Sequence, residues 1–370
     1  MKRNPLFALA IPVAIGALSL IGGKLNGADA LGTVEGDAAG GGKAAGAVVA
    51  KLPAYHVASR IPVGGAGGWD YAETDSAARR LYVTHENRVV VVDLDSLKVV
   101  GEVTDCPGMG GVALAPELNR GFTANGKDDT VTVFALDTLK PMGRWKATGK
   151  RPNQILFEPT TKRVFTFNST GRNATAFDAV SGEVLGTIAL DGRTEFPVAD
   201  GKGMIYDSLQ DKATVVAIDA RTLKVTATFP LAPHKDRAGT TMDPVTRRLF
   251  VACRSQSLLV LDADTGKILK TFPIGGHNDA AKFDPGTKLT FASNGDGTLN
   301  VLREDSADEF TLLPTVPTEF GARTMTLDLK THRLFLPGAD FEPAVTTGSG
   351  KANSRRAMKP DSFHILVLEP

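Results

Sequence analysis

Asp243-Pro-Val-Thr-Arg-Arg-Leu-Phe-Val251, followed by Leu258-Leu-Val-Leu-Asp262 and Asp264-Thr-Gly266, is the stretch that decides the fold. An Asp-Pro turn opens it, because Asp caps its own turn through its side chain and Pro presets the backbone. A run of Leu, Phe and Val follows, then a polar hairpin, a second β run ending in Asp, and an Asp-Thr-Gly turn into another strand. The phrase returns as Arg80-Leu-Tyr-Val-Thr84 with Val89 to Asp93, and as Arg163-Val-Phe-Thr-Phe167 with Ala176 to Asp178. It returns again as Arg333-Leu-Phe-Leu336 with Ile365 to Leu368.

Copies recur at roughly 40 residues, the period of a β-propeller blade. Alignment gives seven units: 68–105, 108–149, 150–192, 193–233, 234–276, 277–320, and 321 to the end. Each holds four strand signals, alternating with period two, and none carries a helical apolar stripe. The seventh unit ends after its third strand, while an orphan strand, Tyr55 to Ile61, stands upstream of the first. The expected fold is therefore all-β: a seven-bladed β-propeller of four-stranded antiparallel blades, in which the N-terminal strand completes the last blade. Such closure leaves no unpaired sheet edge between first and last blades.

Composition sets the surroundings. Lys plus Arg number 42 against 41 Asp plus Glu, so no basic excess speaks for phosphate neutralisation, and nucleic acid is not an expected partner. Lys2 and Arg3 precede the apolar run Leu6 to Ile21, and Ala28-Asp29-Ala30 offers a cleavage site. Residues 1–30 read as a signal peptide cleaved after Ala30, with an uncleaved anchor as the alternative. Residues 31–53 read as a Gly/Ala-rich tether, and 54–370 as one propeller domain. The expected location is periplasmic or secreted, with no membrane span after cleavage and a monomeric state. Cys106 and Cys253 fall about three blades apart on the ring, beyond the ~7 Å Cα separation of a disulfide, so two separate thiols are expected.

The residues Leu81-Tyr-Val-Thr84 and the unit from Asp243 to Gly266 resemble the YVTN-type β-propeller repeat family, with His85 where that signature has Asn. The resemblance covers about residues 54 to 370 and implies an exported bacterial propeller of seven blades; it brings no shared catalytic motif. One departure is an insertion at 338–360 in the last unit, carrying a basic knot from Lys351 to Lys359. As a solvated loop it needs no partner; otherwise it is a flap over the ring axis or a contact for an acidic partner.

Propellers place ligands where the innermost strands begin. Counting back five residues from the turn position of Asp243 aligns Asp70, Gly110, Asn153, Glu195, Ala238, Asp279 and Arg323. Arg237 aligns one residue earlier, and Arg193 and His277 two earlier. The expected binding residues are Asp70, Asn153, Arg193, Glu195, Arg237, His277, Asp279 and Arg323. The acids would serve as oxygen donors and the arginines as anion grips. Water filling an axial channel would explain the same polarity. No haem attachment, nucleophile elbow, phosphate loop or converging zinc ligand set is present, so no cofactor, metal or catalytic residue is expected. Two readings follow: a non-catalytic module binding a small molecule or protein at one ring face, or a metal-assisted lactonase or related hydrolase using channel carboxylates.

Overall fold

A computed structural model describes residues 54–234, 237–343 and 356–370. The expected signal peptide and tether, and the insertion's residues 344–355 with most of its basic knot, lie outside the described residues. Seven antiparallel sheets form the described residues, six from consecutive strands and the seventh joining the first strand to the last ones. The innermost strands are Trp69–Asp75, Met109–Ala115, Pro152–Glu158, Thr194–Ala199, Arg237–Asp243, Asn278–Asp284 and the two-residue Thr326–Leu327. The sole helical element among the described residues is a 3₁₀ turn at Pro116–Leu118. The expected seven-bladed propeller is the fold observed.

Closure follows the expected route. His56–Pro62 pairs antiparallel with His364–Glu369 and forms the outer strand of blade 7, with Arg60 opposite Leu366. Ile61 from this strand is buried with Val83 and Val92 of blade 1 and Phe335 and Ile365 of blade 7. Arg60 also meets Glu319 at 2.7 Å, and Glu319 in turn meets His364 Nε2 at 2.9 Å.

Two details depart from the sequence reading. The second and third strands of every blade are buried on both faces, as in the patterns of Arg248–Cys253 and Ser257–Asp262. Each blade is sandwiched between neighbours, so its middle strands read as continuous apolar runs instead of alternating. The outer strand of blade 6 is broken into Phe310–Leu312 and Val316–Pro317, both paired to Thr298–Glu304. Pro314 lies in the gap, where it has no N–H to give the ladder. Cys106 and Cys253 are buried in different hydrophobic clusters, as the ring spacing required.

The turns that end the inner strands also tie the blades together. Arg79, Arg247, Lys288 and His332 all take a left-handed backbone just before their Leu-Phe strand. From there each side chain reaches the turn acid of the preceding blade. Arg247 meets Asp200 at 3.3 Å, Lys288 meets Asp243 at 2.8 Å, and His332 Nδ1 meets Asp284 at 2.7 Å. Arg79 meets Asp328 at 2.7 Å, so this last contact spans the seam between blades 1 and 7.

Candidate functional site

The level picked out by the repeat register is where the inner strands leave their ladders. Pairing slips between Trp69 and Ala72, Met109 and Val112, Pro152 and Gln154, Glu195 and Val198, Arg237 and Thr240, and Asn278 and Ala280. Asp70, Gly110, Asn153, Ala238 and Asp279 fall inside these bulges, and Glu195 borders its own. A bulge turns a side chain out of the sheet alternation, which is how a packed strand can aim a polar group at an axis. The neck is tight: a Cβ on Gly110 would stand 2.1 Å from the Asn153 carbonyl oxygen, and one on Gly239 would stand 2.2 Å from Ala281 N.

Three of the expected residues meet directly or through one neighbour. Asp279, buried, accepts from Arg323 Nε at 2.8 Å on one oxygen and from Arg254 Nη2 at 2.7 Å on the other. The same Arg254 nitrogen stands 3.7 Å from Glu195 Oε1. Gln154 Nε2 donates to the other Glu195 oxygen at 2.9 Å, while Thr194 Oγ1 donates to Gln154 Oε1 at 3.2 Å. Behind the glutamate, Asp207 Oδ1 accepts the Glu195 N–H at 3.2 Å. Asp207 Oδ2 is buried with no partner among the described residues.

These surroundings set the charges. Burial pushes the Glu195 carboxyl up to about 8, with repulsion from Asp279 and Asp70 adding to it and Arg254 and Arg193 opposing it. Asp70 is pushed up to about 7, again first by burial and then by Asp279, against the pull of Arg323, Arg151 and Arg254. Asp207 is driven well above the carboxylate range by burial. Tyr71 is raised by burial and by Glu195, Asp70 and Asp279. Near neutral pH the belt thus holds two guanidiniums against the Asp279 carboxylate, with Glu195 largely as a neutral acid.

The remaining expected residues are dispersed. Asn153 is half-buried and lines, with Asp70 and Arg151, a chamber of about 410 Å³ at this end of the axis. Arg193 is exposed, and its backbone N–H donates to Asp211 at 2.8 Å. His277 is exposed on a left-handed turn before its strand and contributes to none of the belt's hydrogen bonds among the described residues. Arg237 opens its inner strand, but its side chain lies outside the described residues. Sequence reasoning missed Arg254, Gln154, Tyr71 and Asp207. Arg254 had a signal: it follows the Leu-Phe strand of blade 5, where the other blades place Glu86, Gly126, Ser169, Gln210, Gly295 and Ala339.

The belt divides the axis. Asp70 and Asn153 line the smaller chamber, whereas their immediate successors Tyr71 and Gln154 line a second one of about 610 Å³. The class defined is a seven-bladed β-propeller with a polar belt across its axis. No protein-family model matches the chain, and no curated protein matches it. Among solved structures it is similar to one titled Kuenenia stuttgartiensis Hydrazine Synthase, at a TM-score of 0.65 and 16% identity, over 74% of this chain and 94% of that one. At that identity the likeness shows the fold alone.

Proposed function

We propose that this chain is an exported propeller of the YVTN type that acts as a binding module, and that its polar belt takes a small organic anion. One observation carries the reading: Asp279 anchors both Arg254 and Arg323 by one oxygen each, while the two guanidiniums remain partly open to solvent. Anchored guanidiniums lose little freedom on gripping a carboxylate, and that preorganisation is what makes such a pair effective. Glu195 and Asp70, protonated at or below neutral pH, supply hydrogen-bond donors to the same ligand.

A metal-assisted hydrolase fits this geometry less well. Both oxygens of Asp279 face a guanidinium, so a cation there would have to displace two arginines before finding its ligands. The test uses succinate as probe with the purified protein, by isothermal titration. Saturable binding that drops at least tenfold in Arg254→Ala and in Arg323→Ala supports the reading. Binding of a divalent cation with no response to succinate sinks it. The export signal is tested by the N-terminus of the mature protein, which should begin at Leu31.

A further inference from the structure

We propose that the 610 Å³ chamber on the far side of the belt is a second, separate binding site, for a neutral and largely apolar small molecule. The chamber is of the size that small-molecule sites usually have. Its walls include Leu114, Phe157, Phe283 and Leu327, and Leu329 stands at it half open to solvent. Water filling a tunnel explains polar walls; it does not explain aromatic and aliphatic ones, which cost free energy when left wet.

Three further observations point the same way. Phe196, another wall, has a φ of +38° within the bulge that follows Glu195. Positive φ in a bulky aromatic residue is a strained conformation, kept only where the surroundings enforce it, and such strain gathers at ligand sites. The strain sets the Phe196 ring against Tyr71, with centroids 4.7 Å apart, and both residues line the chamber. Thr324, also in the wall and 1% exposed, has a hydroxyl with no partner among the described residues, so a ligand polar atom has one group to meet.

The charge pattern selects a neutral occupant. Of the three charged residues of the lining, Lys282 and Glu73 meet each other at 3.1 Å, and the buried Asp75 accepts the Ala78 N–H at 2.8 Å, so the one cation is already paired and none is left to hold an anion. Arg254 and Arg323 are absent from the lining, so the anion grip of the belt does not serve this chamber. The inference goes beyond the anion site and stands or falls separately from it.

The probe is N-phenyl-1-naphthylamine, a neutral fluorophore that brightens in apolar surroundings, titrated into the full chain. Saturable binding at one site per chain is expected. Phe196→Gly, which removes a wall and relieves the strained backbone, should weaken it more than tenfold without lowering the melting temperature. Leu329→Glu, at an exposed position that should not disturb folding, places an uncompensated charge at the chamber and should weaken binding severalfold. Saturating succinate should leave the fluorescence in place. Absence of saturable binding overturns the proposal. So does equal binding in both variants, which would locate the probe elsewhere on the chain, and so does displacement by succinate, which would merge the two sites. Loss of succinate binding alone leaves this chamber standing, because the readouts are independent.

Discussion

The seam between blades 1 and 7 should depend on one buried ion pair, and Arg79→Met measures it. Asp328 is fully buried and Arg79 nearly so, at 2.7 Å. Burial alone would raise the Asp328 pKa; hydrogen bonds from Thr331, Ser76 and Arg79 overcome that and hold it below the usual range. Removing the cation leaves a buried carboxylate without its charge partner, at a cost of about 3–5 kcal/mol. Unfolding entropy near 2 cal/mol/K per residue over about 300 residues turns that into a loss of roughly 5–8 °C in melting temperature. Asp95→Ala removes only the exposed partner of Arg79, at 2.9 Å, and should cost less than ~1 kcal/mol. The double variant Arg79→Met/Asp328→Leu should recover most of the loss, since an apolar pair no longer buries a lone charge. Because the folded pKa of Asp328 is depressed, the stabilisation is present above the ordinary carboxylate pKa and fades as pH falls through the folded value. Calorimetry of the three variants decides. Arg79→Met within ~1 kcal/mol of wild type, or a double variant less stable than Arg79→Met, would show that the pair does not hold the seam.

Other expectations follow from the same structure. Deleting the closing strand His56–Pro62 exposes the edge of His364–Glu369, and light scattering should show larger species than it does for the undeleted protein. Gly110→Ala drives a Cβ to 2.1 Å from the Asn153 carbonyl oxygen, a backbone atom of the next blade, and should cost at least ~2 kcal/mol in denaturant unfolding. Glu195 is the reverse of Asp328: its carboxyl is raised to about 8, so the folded state holds a proton that the unfolded state releases. Stability should therefore decline as pH rises from the ordinary glutamate pKa to about 8, and Glu195→Gln should flatten that decline while changing little at pH 5.

The fold was legible because its period survives in apolar and turn residues, which any blade must keep. The unpaired strand at Tyr55 and the missing fourth strand of unit seven were complementary, so closure could be read as well. The acids of the belt were legible for a different reason: register aligned Asp70, Glu195 and Asp279 before their contacts were known. The bulges that aim them were not, since a bulge depends on where neighbouring inner strands crowd, as at Gly110 and Gly239. Arg254 escaped because hairpin residues read as solvated turns, although blade 5 alone puts a basic residue there. Asp207 escaped because it sits within a Leu-Phe-Val-type strand, where apolar residues are the rule. His277 was aligned but not delivered, because a left-handed turn places it before the strand begins.

If the belt grips an anion, its affinity must follow the ionisation of the acids around the two guanidiniums. At pH 6 the two guanidiniums outweigh the Asp279 carboxylate; by pH 9 the ionisation of Asp70, at about 7, and Glu195, at about 8, reverses the sign. Succinate titrated calorimetrically at the two pH values should bind at least tenfold more tightly at pH 6, and Glu195→Gln should narrow the difference. Equal affinity at both, or an affinity that rises with pH as for a bound cation, would mean that the belt is not an anion site.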